Sequence, residues 1–184
     1  MTSKADARGR ALGVRAARSQ PARDAARTQI RSVLRDWLTA AELAPGSRIA
    51  AYEPLRTEPG SVELLADLTK AGYVVLVPVT LSDKDLDWTV WTGSGENRQT
   101  LGVDAIGSAS LVLVPALAVD PVGNRLGRGG GSYDRALTRI AAGTPVAAVL
   151  FAGEVLAQVP TDPWDHPVTA VITPDGWQNL PVPP

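Results

Sequence analysis

The tightest constraint on the fold comes from short apolar runs that do not alternate. Val74-Val75-Leu76-Val77 and Leu111-Val112-Leu113-Val114 are apolar at every position. A strand with one wet face would alternate, so such runs require cover on both faces, the condition of a parallel strand between layers of helix. Further runs at Arg48 to Tyr52, Leu86 to Trp91, Val146 to Phe151 and Val168 to Ile172 are separated by helical patterns or polar loops. Ser61 to Ala71 places Val62, Leu65, Ala66 and Leu68 on one face and exits at Gly72, which makes strand, helix and strand a crossover unit. A second helix is expected over Tyr133 to Ala142, and Trp88 and Trp91, three apart on a strand, should face opposite ways. The predicted fold is α/β, a three-layer α/β/α domain with a mostly parallel open sheet.

Ahead of the sheet, residues 4–17 and 22–42 are rich in Ala, Arg and Leu, and Ile30, Val33, Leu34, Trp37, Leu38 and Ala41 keep a 3.6-residue period. They predict two basic N-terminal helices packed on the sheet, broken near Ser19-Gln20-Pro21. Residues 1–35 hold nine Lys/Arg against two Asp, a balance of +7, which leaves −8 on the rest of a chain whose net charge is −1. Any basic function therefore sits at the front. Residues 1–184 are expected to form a single domain, with 1–44 as its helical part, 45–180 as the α/β core and Pro181 to Pro184 as a tail. The absence of Cys and the presence of one His exclude disulfide frameworks, thiol nucleophiles, Cys-bound zinc and multi-His metal sites. A charged front without an apolar stretch argues against a signal peptide, and no apolar run reaches membrane-spanning length, so a cytoplasmic protein with no membrane partner is expected.

The most informative stretch is LVLVPALAVDPVGNRLGRGGGSYDRAL, residues 111–137. A buried strand leads into a loop with Gly123, Gly127, Gly129, Gly130 and Gly131, interleaved with Arg125 and Arg128, and the loop ends on a helix. Without Cβ atoms the backbone can approach an anion closely and turn its N–H groups towards it, while two guanidiniums can grip phosphate or carboxylate. The loop is neither standard nucleotide fingerprint. It has no Lys for a Walker A motif, and Ser132 stands where GxGxxG needs its third Gly. Asp134 in the first helical turn suits helix capping or, beside a polyphosphate, Mg²⁺, because that ion takes one or two carboxylates plus phosphate oxygens. Asp165, just before the last strand, is a second candidate, though spacing alone does not bring it near Asp134.

PALAVDPVGNRLGRGGGSYDRAL at 115–137 resembles the signature of the 5-formyltetrahydrofolate cyclo-ligase family, also called methenyltetrahydrofolate synthetases. The resemblance continues through Lys4 and Arg8, YEPLRTE at 52–58, VVLVPV at 74–79 and the P-x-x-x-x-D from Pro160 to Asp165. It implies a layered α/β/α fold and ATP- and Mg²⁺-dependent conversion of 5-formyltetrahydrofolate to 5,10-methenyltetrahydrofolate, with release of ADP and phosphate. Carried over by position, nucleotide contacts fall on Lys4, Arg8, Arg125, Leu126, Gly127, Arg128, Gly129, Gly130, Gly131, Ser132 and Tyr133. Folate contacts fall on Glu53 and Glu58 and on the shared loop Arg128 to Ser132, the metal ligands on Asp134 and Asp165, and the catalytic role on Arg128, Tyr133 and Asp134. Two departures bear on folate binding: Ser132 replaces the first Tyr of the family's Tyr-Tyr-Asp, and Leu101 stands where an aromatic is common.

Other readings remain open on the residues alone. A sugar-phosphate isomerase or a CoA-transferase-like protein would use the Gly-Arg loop for substrate phosphate without ATP turnover. A non-catalytic nucleotide- or RNA-binding module would use the basic front, but its charges ring Ala-rich helices without interleaved aromatics, so no nucleic-acid partner is expected. His166, alone beside Asp165 and Pro167, reads as a loop residue. A monomer is expected.

Overall fold

A computed structural model describes residues 3–93 and 98–181; of the expected tail at 181–184, all but Pro181 lie outside the described residues. Two helices open the chain, α1 at Lys4–Ala17 and α2 at Gln20–Ala40. Each is started by a serine, with Ser3 Oγ accepting from Asp6 N (3.1 Å) and Ser19 Oγ from Ala22 N (3.4 Å). Pro21 stands in the first turn of α2, where its missing N–H costs nothing. The break near Ser19-Gln20-Pro21 is thus a helix start.

The sheet strands are β1 (Arg48–Ala50), β2 (Val74–Thr80), β3 (Leu86–Val90), β4 (Leu111–Pro115), β7 (Val146–Val149), β8 (Ala170–Thr173) and β9 (Gly176–Asn179), in the order β3-β2-β1-β4-β7-β8-β9. Between β4 and β7 the chain forms a separate hairpin of β5 (Ala118–Val119) and β6 (Arg125–Leu126). The five inner strands are parallel, and β3 and β9 run antiparallel at the edges. The continuous apolar runs serve two cores in alternation. Leu111 and Leu113 enter one with Ile49, Val75 and Val77; Val112 and Val114 enter the other with Ala50 and Leu76. Trp88 and Trp91 are likewise divided between the two faces.

Helices α2 and α3 (Val62–Lys70) cover the first face, where Ile30, Leu34, Trp37, Leu38, Leu64, Leu65 and Leu68 are buried. The second face carries a 3₁₀ turn at Val103–Ser108 and the short helix α4 (Ser132–Leu137). Helix α4 is about half the expected Tyr133 to Ala142 helix. Beyond Leu137 the chain tightens into i→i+3 bonds from Arg139 to Ala136 and Ile140 to Leu137, and Thr138 Oγ1 donates back to the Arg135 carbonyl, a competing local bond that favours turns. Of the two N-terminal helices, α2 lies on the sheet, whereas α1 crosses its carboxyl edge, resting Ala7, Ala11 and Leu12 on Leu117, Ala118, Leu126 and Val159 around the hairpin. No helix among the described residues is long and apolar enough to cross a membrane.

From β1 the chain first winds to β2 on one side and later returns to β4 on the other. The exits of β1 and β4 therefore flank the switch point, where open α/β sheets hold their ligands.

Candidate active site

At that switch point lies a cleft of about 470 Å³. The strand exits give Tyr52 and Glu53 after β1, Pro78 and Thr80 at the end of β2, and Pro115 and Ala116 at β4; α1, the loop from Gly127 to Asp134 and the turn at 162–165 close it. All the residues expected from the sequence line this one cleft: Lys4, Arg8, Glu53, Glu58, Arg125, Leu126, Gly127, Arg128, Gly129, Gly130, Gly131, Ser132, Tyr133, Asp134 and Asp165. A larger, more apolar groove of about 770 Å³ beside Trp37, Ile140 and Trp177 contains none of them.

The geometry of the glycine loop leaves room and donors for an anion. Gly129 has φ +100°, and a Cβ there would stand 3.2 Å from Arg8 Cζ, so a side chain would meet both backbone strain and the guanidinium. Arg8 uses the space, donating its Nε–H to the Gly127 carbonyl (2.9 Å). The backbone N–H groups of residues 127–131 donate to no acceptor among the described residues, which leaves five unspent donors in the cleft wall. Helix α4 adds little dipole because it has only 6 residues, and its N-terminus at Gly131 has no side-chain cap. Asp134 is thus not a cap. Instead its Oδ1 receives Arg125 Nη2 (2.5 Å) and, more weakly, the His166 N–H (3.4 Å).

Cations and carboxylates in the cleft are paired across long stretches of chain. Lys4 Nζ donates to Asp162 Oδ2 (2.6 Å) and Asp165 Oδ2 (2.5 Å). Burial works against the ammonium, but these bonds outweigh it and hold the Lys4 pKa above its ordinary value. Burial likewise opposes the Asp165 carboxylate, yet the bonds from Lys4 and Asp162 N–H keep its pKa below the usual range. Arg128 Nε donates to Glu58 Oε1 (3.1 Å), while Glu58 Oε2 accepts the Leu55 N–H (2.9 Å). Glu53 is gripped by both terminal nitrogens of Arg98 at 2.6 Å, a bidentate bond that lowers its pKa. Arg8 alone among Lys4, Arg8, Arg125 and Arg128 makes no ion pair among the described residues. The Tyr133 hydroxyl is buried without a hydrogen-bond partner among the described residues, and burial pushes its pKa far up, so it stays a neutral donor.

The sequence did not place Asp134 and Asp165 together, but the fold does. Both line the cleft, and the His166 N–H that follows Asp165 reaches Asp134. Asp134 Oδ2 and Asp165 Oδ1 carry no hydrogen bond among the described residues. No group of three or more His, Cys, Asp or Glu able to hold a metal occurs among the described residues. Asp134 and Asp165 could offer these two oxygens to a hard ion, which takes one or two carboxylates and completes its shell with ligand oxygens and water.

Four charged or aromatic cleft residues escaped the sequence reading. Tyr52, Asp162 and Trp164 sit inside recognised stretches, whereas Arg15 left a signal in helical spacing: positions 4, 8 and 15 share a face of α1. Arg15 is buried and reaches Glu154 Oε1 (2.7 Å), Glu154 Oε2 (2.6 Å) and the Ala116 carbonyl (2.5 Å).

Fold and cleft together define a doubly wound α/β protein with an anion-receptive, carboxylate-bearing crevice at its switch point. The model of the 5-formyltetrahydrofolate cyclo-ligase family matches residues 1–174. A 5-formyltetrahydrofolate cyclo-ligase of Mycolicibacterium smegmatis is 40% identical over 156 residues, covering 77% of this chain and 80% of the relative. One of Mus musculus is 28% identical over 151 residues, 70% of this chain and 73% of its own. Among solved structures, a 5,10-methenyltetrahydrofolate synthetase from Mycoplasma pneumoniae superposes with TM-score 0.80 at 22% identity, covering 94% of this chain and 99% of that one. That of Aquifex aeolicus gives 0.74 at 23% identity, covering 98% and 94%. The chain belongs to the 5-formyltetrahydrofolate cyclo-ligase family and is an enzyme, a ligase of folate metabolism.

Proposed function

We propose that the chain, acting as one domain over residues 1–184, uses ATP and Mg²⁺ to convert 5-formyltetrahydrofolate to 5,10-methenyltetrahydrofolate. The observation that carries this reading is the loop from Gly127 to Gly131, whose five unspent N–H groups share a cleft with Lys4, Arg8, Arg125 and Arg128. Four cations and a row of amide donors suit a triphosphate, and they give charge stabilisation at the moving phosphoryl group without a protein nucleophile.

In the proposed reaction the formyl oxygen attacks the γ-phosphorus and the bond to ADP breaks, leaving an iminium phosphate at N5. N10 then attacks the formyl carbon and closes the ring, N10 loses its proton, and the C–O bond breaks to release phosphate. Arg128 would serve both substrates, because its backbone belongs to the glycine loop while its Nε–H donates to Glu58. Glu58, nearly buried, is placed to accept the pterin N–H donors, and Glu53 lies at the same strand exit. The Tyr133 O–H, unpaired among the described residues, is a donor held for the substrate. Asp134 and Asp165, each with one free oxygen, would hold Mg²⁺, which when bound neutralises phosphate charge. Leu101 is half-exposed and does not line the cleft, so the fold offers no stacking partner there.

The test is direct: purified protein with 5-formyltetrahydrofolate, ATP and Mg²⁺ should develop the near-ultraviolet absorbance of the methenyl product. No ATP-dependent rise would overturn the reading. The sugar-phosphate and CoA alternatives, which use the loop for substrate phosphate without ATP turnover, predict no methenyl product in this assay.

A further inference from the structure

We infer that the indole of Trp164 is the stacking platform for the base of the nucleotide, a role that rests on the nucleotide reading of the cleft and adds a binding residue to it. Trp164 is 73% exposed, an unusual setting for the largest apolar side chain. Trp37, Trp88 and Trp91 are buried, and Trp177 stacks at an angle on Trp37 with ring centroids 6.5 Å apart. Trp164 is the remaining tryptophan of five, and among the described residues its ring has no aromatic or cationic contact.

Its backbone is held firmly. Asp162-Pro163-Trp164-Asp165 is a closed turn in which Asp165 N donates to the Asp162 carbonyl (3.0 Å) and Asp162 N donates to Asp165 Oδ2 (2.8 Å). Pro163 takes the second position, where its fixed φ fits. Lys4 Nζ then clamps both acids of the turn to α1. A rigid turn thus holds an open π-face at the rim of a cleft whose interior is lined for phosphates. ATP has the matching shape, a polyanion with a planar base at one end.

The pterin is the other planar ligand. Its expected partners Glu53 and Glu58 come from the β1 exit, and among the described residues no hydrogen bond or ion pair joins that segment to the 162–165 turn. The turn is bonded instead to Lys4 and, through the next residue, to Asp134. Its place is with the phosphate side. Because every base has a π-face, such a platform adds affinity with little choice among bases.

Titration calorimetry with ATP, GTP, inorganic tripolyphosphate and 5-formyltetrahydrofolate tests this on the full chain and on Trp164→Ala and Trp164→Phe. Loss of one base–aromatic stack weakens binding by roughly 5- to 150-fold. Trp164→Ala should lose that for ATP and for GTP alike while tripolyphosphate and folate affinities stay unchanged, and Trp164→Phe should keep most of the ATP affinity. ATP should also quench the indole fluorescence of the native chain, and Trp164→Phe should abolish the quench while still binding. Unchanged ATP affinity in Trp164→Ala overturns the inference, as does a parallel fall for tripolyphosphate, which would mean a damaged turn, or a fall for folate alone. Failure of the native chain to bind ATP overturns the nucleotide reading itself and this inference with it.

Discussion

Arg15→Met is the substitution whose cost the structure defines best. Arg15 and Glu154 have side-chain exposures of 1% and 9%, and the guanidinium engages both carboxylate oxygens (2.7 and 2.6 Å) as well as the Ala116 carbonyl. Glu154 Oε2 also accepts the Phe151 N–H (2.8 Å). Removing one partner of such a pair strands a buried charge, at about 3–5 kcal/mol. For a chain of this size each kcal/mol moves Tm by about 2–4 °C, so Arg15→Met should melt roughly 6–20 °C lower by calorimetry. The double variant Arg15→Met with Glu154→Gln should recover part of that loss, because Gln is neutral and still accepts from Phe151; a coupling of about 2 kcal/mol is expected for groups in contact. Since Arg15 fastens α1, which carries Lys4 and Arg8, hydrogen exchange in residues 4–17 should speed up in the single variant and slow again in the double. A loss below about 1 kcal/mol, or a double variant no more stable than Arg15→Met, would show that the pair is not the anchor described.

Asp134→Asn and Arg128→Ala should each lower turnover by about 100-fold or more, read by methenyl absorbance, while circular dichroism stays native; unchanged rates refute their assignment. Gly129→Ala forces a Cβ into φ +100° and to 3.2 Å from Arg8, so it should cost about 1 kcal/mol or more of stability and weaken ATP binding in the same titration. Asp85 is held below its ordinary pKa of 3.8 by two bonds from Arg139 (3.0 and 2.6 Å), with its backbone bond from Leu86 N–H helping against burial. A depressed carboxyl stabilises the fold above its unfolded pKa and loses this as pH falls through the folded value, so the Tm advantage of the native chain over Arg139→Gln should hold steady above pH 3.8 and shrink in stronger acid.

The layered sheet was legible because covered strands leave a local mark. Val74 to Val77 and Leu111 to Val114 could not be exposed on either face, and Trp88 and Trp91 followed the pleat. Strand β9 left no such mark, since Gly176-Trp177-Gln178-Asn179 lies at the edge and is held by pairing with β8. Hairpin β5–β6, two residues per strand, is too short to show a period. In the site, residue types and loop glycines could be read directly. Partner choice could not: Lys4 meets Asp165 and Arg128 meets Glu58 only because strand order brings their segments to one edge.

Those pairings bear on why the basic front of the chain is needed. Without ligand, Lys4, Arg125 and Arg128 are neutralised by Asp162, Asp165, Asp134 and Glu58, so the cleft is not a bare cationic trap. On the nucleotide reading, each phosphate oxygen that takes a cation strands a carboxylate, and a stranded carboxylate in a half-buried cleft is costly. On the same reading relief would arrive with the ligands: pterin N–H groups for Glu58, and a divalent ion for Asp134 and Asp165. Arg8 differs in that its side chain is bonded, among the described residues, only to the Gly127 carbonyl, so on that reading its charge is available before any exchange begins. On that reading helix α1 contributes the one cleft cation without an ion pair among the described residues, and the Arg15–Glu154 pair holds that helix at the carboxyl edge of the sheet.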